Sequence, residues 1–400
     1  MTMGMEQRQP QPVIVDSPVG HEVDGNMLRL IPGGEERLEA LVDLIEGAHR
    51  RLDLYYYIFA QDDCGERIVD ALIEARNRDV AVTLIVDAFG SATTPARFFE
   101  PLIDAGVRFA WFGARRSTRY LIRNHQKMAI ADGACVLIGG FNCERLYFAR
   151  ADDVMAWCDL GLLVNGPLAA RLQDWFDELA AWTFGSNQRF GALRRIVREW
   201  QPGEGRAIWL VGGPTRYLNG WARRVKNDLQ GAARLDLVAA YFSPGRGMIR
   251  RIKRIARRGS ARLVTAMHSD NSATIGAARH LYHSLLRASV AIHEYRPQKL
   301  HMKLIVIDDI TYVGSANFDK RSLFINLELM LRVEDAAFAA EARALVDRLE
   351  GQSRHVDRRV YRAMSTPWRK IGWWLSYLLV GVLDYTVTRR LNFRRPRRRG

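Results

Sequence analysis

Asn124-His125-Gln126-Lys127-Met128-Ala129-Ile130-Ala131-Asp132 and Leu300-His301-Met302-Lys303-Leu304-Ile305-Val306-Ile307-Asp308 are two versions of one stretch. Each reads His-x-Lys-x4-Asp and opens an apolar run. The runs end in Gly139-Gly140-Phe141-Asn142 and in Gly314-Ser315-Ala316-Asn317. A match of this length in both halves of a chain marks an internal repeat. It predicts two copies of one domain that bring two half-sites together.

The surrounding sequence fits that organisation. Met27-Leu28-Arg29-Leu30-Ile31 reads as a strand, Glu35 to Arg50 has the apolar spacing of a helix, and Leu52 to Phe59 reads as a buried strand. Helix and strand then alternate: Gly65 to Arg78 helical, Val80 to Val86 extended, Ala96 to Ala105 helical, Val107 to Phe112 extended. This is the pattern of an α/β domain with helices layered on a sheet. The second half repeats it, with Arg234-Leu235-Asp236-Leu237 answering Arg51-Leu52-Asp53-Leu54. The first copy carries an insertion before its histidine, the basic loop Arg115 to Arg123. The expected organisation is a polar tail over 1–26, a first domain over 27–200, a linker at 201–206 around Pro202-Gly203, a second domain over 207–352, and a distinct tail over 353–400.

With 400 residues, 48% of them hydrophobic, the chain has enough apolar material for two cores. Its formal charge of +15 calls for an acidic partner: nucleic acid, an anionic membrane or a phosphorylated small molecule. Cys64, Cys135, Cys143 and Cys158 have no Cys-x-x-Cys spacing, which predicts free thiols of a reducing compartment rather than disulfides or a zinc site. The first 25 residues lack an apolar core of signal or membrane-helix length, so a cytoplasmic start is expected. In the last tail, Ile371 to Leu383 is strongly apolar and several arginines follow. That run is shorter than the roughly 20 residues that span a bilayer, so it predicts shallow insertion with Trp at the interface and Arg at anionic headgroups. The alternative is a helix packed on the protein ahead of a basic end.

Alternate residues of a strand share a face, so His125 projects with Lys127 and His301 with Lys303. Asp132 and Asp308 complete the motif and enter the candidate catalytic set, although their turn positions suit fixing a hairpin better than touching substrate. Gly140 and Ser315 admit close backbone approach to a ligand, and Asn142 and Asn317 offer amide donors. Two imidazoles, two ammonium groups and two amides suit a phosphodiester and its transition state. One imidazole can attack phosphorus while the other protonates the leaving alcohol. With no Asp-rich or His/Cys ligand cluster, the set requires no metal.

The paired motifs, with Gly-Gly-Phe-Asn and Gly-Ser-Ala-Asn-Phe-Asp-Lys-Arg-Ser downstream, resemble the phospholipase D superfamily over roughly Met27 to Leu349. That resemblance implies two tandem α/β/α sandwich domains about a pseudo-twofold axis, a covalent phosphohistidine, no cofactor, and a site at the domain interface. It also implies that Asp159 and Glu328 orient the two imidazoles. Tyr57-Ile58-Phe59, Asp87-Ala88-Phe89-Gly90-Ser91 and Tyr241-Phe242-Ser243-Pro244 are similar to stretches of bacterial cardiolipin synthases, in the form without N-terminal membrane helices. Gln126 and Met302 depart from the family pattern and are expected to point away from the site, altering packing rather than chemistry.

The implied activity is phosphatidyl transfer: His125 attacks a donor such as phosphatidylglycerol, His301 protonates the departing glycerol, and a second lipid alcohol takes the group to give cardiolipin. The implied partners are an anionic phospholipid and a membrane surface, at the cytoplasmic face of the bacterial inner membrane, with no nucleic acid. Two other readings stay open: a phosphodiesterase or nuclease of the same superfamily, for which the charge is equally suitable, and a membrane-binding adaptor without activity. His268, His280, His283 and His293 lack ligand spacing and read as structural. The basic amphipathic helix from Arg246 to Arg258 reads as a solvated helix packed on the sheet.

Overall fold

The computed structural model describes residues 20–113, 123–186, 188–215 and 217–383. The repeat appears as two eight-stranded sheets built alike. In the first, spatial order runs His21–Val23, Asn26–Ile31, Gly161–Asn165, Cys135–Gly139, Met128–Ala131, Arg51–Tyr56, Ala81–Asp87, Arg108–Phe112. In the second it runs Ala207–Gly212, Glu328–Glu334, Ile310–Gly314, Lys303–Ile307, Arg234–Ala239, Ser260–Ala266, Ala291–Tyr295, Ser353–His355. Leaving aside His21–Val23 and Ser353–His355, which sit at opposite edges, the orders correspond strand for strand. In both, three neighbouring strands joined by helices are parallel and the motif hairpin pairs antiparallel beside them.

Alternation along the strands decides what each face meets. Leu52, Leu54 and Tyr56 pack outward with the helices Gly34–Glu46 and Asp63–Asn77, whereas Tyr55 joins the core between the two sheets. That central core takes side chains from both sheets, Ile130, Val136 and Val164 from one and Leu304, Leu329 and Leu331 from the other, with Trp175 and Phe338 from two intervening helices. The second sheet's outer face is covered by helices that include Arg246–Arg258, which buries Met248, Ile249, Ile252 and Ile255 as its amphipathic pattern requires. The two halves are therefore fused through a shared apolar layer.

Several boundaries differ from expectation. The first sheet starts at His21, inside the stretch read as a polar tail, because Asp24 and Gly25 both take positive φ (52° and 73°) and close a tight hairpin between Val23 and Asn26. The second sheet continues to His355, three residues past the expected end. The expected helix over 96–105 divides into a 3-10 turn, Ala96–Phe99, and a helix, Glu100–Asp104; Pro101 has no N–H to carry one helix through.

The C-terminal tail is neither a hairpin nor wholly free among the described residues. Helix Pro367–Leu378 lays Trp373 against the second domain, where Ser376 approaches Gly276 and Tyr377 stacks on His280 at 4.9 Å. The packed-helix alternative thus holds for one face. The Arg run beyond 383 and residues 115–122 of the basic loop lie outside the described residues.

Candidate active site

Each motif histidine stands just ahead of its hairpin rather than within it, since the strands proper begin at Met128 and Lys303. Backbone crossings hold these lead-in segments in place. His125 N donates to Leu327 O (2.8 Å), while His301 N and Met302 N donate to Cys158 O (2.8 and 3.0 Å). The short strand Trp157–Cys158 of the first half pairs with Lys299–Leu300 of the second. Each half therefore threads its histidine past the other half's acidic segment.

The consequence is a crossed pair of carboxylate–imidazole contacts. Glu328 of the second half lies 3.2 Å from His125 Nδ1, and Asp159 of the first half lies 2.6 Å from His301 Nδ1. With Nδ1 engaged, Nε2 of each ring is left for substrate. Lys303 Nζ is also 2.8 Å from His301 Nδ1, but a carboxylate only accepts, so the Nδ1 proton is assigned to the Asp159 contact. Lys127 and Lys303 donate to the backbone carbonyls of His125 and His301, respectively.

Burial sets the charge state. It holds His125 down at about 4 with help from Lys127, and His301 at about 3 with help from Lys303, against the opposing pull of Glu328 and Asp159. The same burial lowers Lys303 to about 8 and Lys127 well below the usual lysine value. Burial alone would raise the two acids, but the charges of Lys303 and His301 keep Asp159 low, and those of His125 and Lys127 keep Glu328 low. An anion placed beside the two rings would favour protonation of an imidazole.

The remaining candidates divide. Ser315 donates to Glu328 Oε2 (2.6 Å), and Glu328 Oε1 receives Ser322 Oγ (2.7 Å). At Gly140 the acid itself leaves no room for a side chain: a Cβ there would lie 2.5 Å from Asp159 Oδ1. Asn142 Oδ1 accepts from Ile58 N (3.2 Å), whereas Asn317 Oδ1 is buried and makes no hydrogen bond. Asp132 and Asp308 are corrected out of the catalytic set. They sit at the far ends of the hairpins with φ of 54° and 47°. Their carboxylates accept backbone N–H groups of Arg50 and Arg51 (both 2.8 Å) and of Arg234 (2.8 Å). They fix each hairpin to the start of the neighbouring strand. Gln126 and Met302 point away as expected. Gln126 receives Trp175 Nε1 (3.1 Å) and donates to Glu328 O (3.2 Å), and Met302 is buried in the central core.

Sequence reasoning missed the supporting layer. Tyr57 packs on His125 (5.0 Å between centroids), and Tyr147 and Trp157 pack on His301 (5.2 and 5.3 Å). Arg37, buried on helix Gly34–Glu46, donates to Asp159 O (2.8 Å), Tyr147 O (2.7 Å) and Pro32 O (2.6 Å). It is a positioning residue for His301. Arg37→Met is expected to orphan those carbonyls, destabilise the fold by about 3 kcal/mol, and lower kcat about 10-fold with KM unchanged; chemical denaturation and steady-state kinetics check both. The one group of donors close enough to hold a metal among the described residues, Asp62, Asp63 and Cys64, includes none of these site residues, and Asp62 caps a helix there. All four cysteines are free.

A family described as cardiolipin synthase, phospholipase D-like domain, matches residues 41–180 and 226–349. Cardiolipin synthase A of Pseudomonas aeruginosa is 30% identical over 331 residues, covering 80% of this chain and 66% of that one. Cardiolipin synthase B of Salmonella typhimurium is 28% identical over 336 residues, covering 82% and 80%. The chain thus spans about two thirds of the length of the Pseudomonas relative. In structure it is similar to phosphatidylserine synthase of Haemophilus influenzae, with a TM-score of 0.70 at 13% identity, covering 93% of this chain and 96% of that one.

Proposed function

The chain belongs to the cardiolipin synthase family of phospholipase D-like domains, and from that premise we propose that it is a phosphatidyltransferase that makes cardiolipin from phosphatidylglycerol. The observation that carries the mechanism is the crossed contact of Asp159 with His301 and Glu328 with His125. It leaves two Nε2 atoms for one phosphorus. His125 Nε2 attacks, the phosphorus–oxygen bond to glycerol breaks, and His301 gives its proton to the departing oxygen. In the second half-reaction His301 takes the proton of a lipid hydroxyl, that oxygen attacks phosphorus, and the phosphorus–nitrogen bond breaks to restore His125. We assign the acid to His301 because its carboxylate partner, at 2.6 Å, is better placed to stabilise an imidazolium than Glu328 at 3.2 Å from His125. Lys127, Lys303 and the amide of Asn317 hold the phosphoryl oxygens and their developing charge.

The test incubates purified protein with phosphatidylglycerol vesicles and, separately, with DNA, and identifies products by mass spectrometry. Cardiolipin and free glycerol in equal amounts are expected. Phosphatidic acid alone, or cleaved DNA with no lipid product, would replace the transfer reading by a hydrolytic one.

The substrate is membrane-bound, and no helix among the described residues is long and apolar enough to cross a bilayer. The outer face of helix Pro367–Leu378 supports surface docking instead. Trp368 (82% exposed), Ile371, Trp374 and Leu375 form an apolar stripe that Leu379 continues. Tyr377 on the same helix lies under Lys320 Nζ at 5.9 Å, and Lys320 follows directly on the Asn317-Phe318-Asp319 segment. The stripe is thus tied to the loop that carries part of the site. Free thiols support a reducing compartment, and so the cytoplasmic face. Changing Trp368, Ile371 and Trp374 together to Glu is expected to weaken binding to phosphatidylglycerol vesicles by about 100-fold or more. Turnover of a soluble short-chain substrate should stay within about twofold. Unchanged cosedimentation with vesicles would remove the helix as the docking element.

A further inference from the structure

The basic run from Arg189 to Trp200 plays no part in the reaction described above, yet it builds one wall of a cavity of about 850 Å³. Helix Phe190–Glu199 supplies Arg194, Arg195 and Arg198, and helix Gly220–Asp228 supplies Arg223 and Arg224. No carboxylate and no lysine is among the described lining residues. Glu199 lies 3.4 Å from Arg198, and Asp228 lies 3.9 Å from Arg224. Burial, with Arg198 nearby, lowers Arg194.

Beneath the arginines the lining turns apolar, with Ile208 and Leu210 of the sheet, Leu218 and Trp200. The remaining wall is held in place from below. Thr215 N donates to Phe324 O (3.1 Å), and Asn219 Nδ2 and Trp221 Nε1 both donate to Ser322 O (2.9 and 3.0 Å). Neither motif histidine nor either motif lysine lines this space.

A planar guanidinium fork matches phosphate oxygens two at a time, which a lysine does not. An inorganic anion would satisfy the rim and leave the apolar floor wet; a neutral lipid would do the reverse. A volume of this size is that of a ligand site. We propose that the cavity is a second lipid site, separate from the reacting centre, that holds the phosphodiester headgroup of an anionic glycerophospholipid on its arginine rim and the start of an acyl chain on its floor.

The inference rests on the phospholipid reading of the catalytic site, and the test keeps the two apart. The full chain carrying His125→Ala and His301→Ala, which cannot turn over, is titrated by calorimetry with dihexanoyl phosphatidylglycerol below its micellar concentration. The same titration is run after adding Arg195→Glu and Arg223→Glu, both exposed in the fold. Two equivalents are expected for the parent and one for the arginine variant, at unchanged thermal midpoint. Equal stoichiometry in the two proteins overturns the second site. Should the catalytic reading fail instead, the parent would bind a single equivalent and the arginine variant none. Dihexanoyl phosphatidylcholine and inorganic phosphate are expected to fill the cavity at least tenfold more weakly. Equal binding of phosphatidylcholine would overturn the anionic requirement, and equal binding of phosphate alone would reduce the cavity to an anion site without a lipid.

Discussion

His125→Ala and His301→Ala are each expected to lower phosphatidyl transfer by about 10⁴-fold, with the double variant no more than about tenfold below either single one. In the proposed mechanism the two rings act on one phosphorus, so removing one leaves the other without a task. Each is packed beside aromatic rings and one acid rather than deep in the central apolar core, so the thermal midpoint should move by no more than about 4 °C. The single variants differ in one respect. A donor with a p-nitrophenolate leaving group needs no proton to depart, so with it His301→Ala should form the covalent phosphatidyl–imidazole adduct in a single burst, detectable by intact-protein mass. His125→Ala should form none. Ordinary turnover by either variant would end the two-histidine mechanism, and an adduct in His125→Ala would reverse the roles.

The second large effect concerns the crossed acids. Asp159→Asn is expected to lower kcat by about 10³-fold and Glu328→Gln by about 10²-fold, with KM nearly unchanged. Asp159 is the stronger case because its oxygen is 2.6 Å from His301 Nδ1, whereas His125 Nδ1 has Ser315 O as a second acceptor at 3.2 Å. The sign of the pH effect follows from the same contact. Asp159 raises His301 against burial, so losing its charge lowers His301 further and makes the protonated acid scarcer. The alkaline limb of the kcat profile should therefore move to lower pH in Asp159→Asn and stay in place in Glu328→Gln. A full-rate Asp159→Asn enzyme would show that the acid positions nothing.

Much of this site could be read along the chain because the repeat carries it. His125, Lys127, His301 and Lys303 announce themselves by doubling, and the strand pattern between Met27 and Phe112 follows from alternation and spacing. Asp159 and Glu328 were legible only through the family resemblance, since no local spacing ties an acid to a ring on the opposite domain. Arg37 and Ser322 act through contacts made by folding: a helix arginine on backbone carbonyls far along the chain, and a hydroxyl turned onto Glu328. The motif aspartates show the converse. Their position in the signature placed them among the catalytic residues, and their turn chemistry gave the better answer. Asp24-Gly25 is a hairpin signal that the polar residues around it mask. In the tail both alternatives meet on one helix, since composition records how apolar a helix is, not how its faces are shared between protein and solvent.

The crossed acids have a consequence beyond the pKa of two rings. Because each imidazole is completed by a residue from the opposite sheet, neither half holds a working portion of the site that it could operate alone. A slip of one domain against the other would uncouple both histidines together, so activity registers the alignment of the halves as an interlock does, engaged at both points or at neither. Duplication can begin with two similar folds, but once the acids have been exchanged across the seam the copies can no longer drift apart separately: a change that shifts one half's frame must be answered in the other.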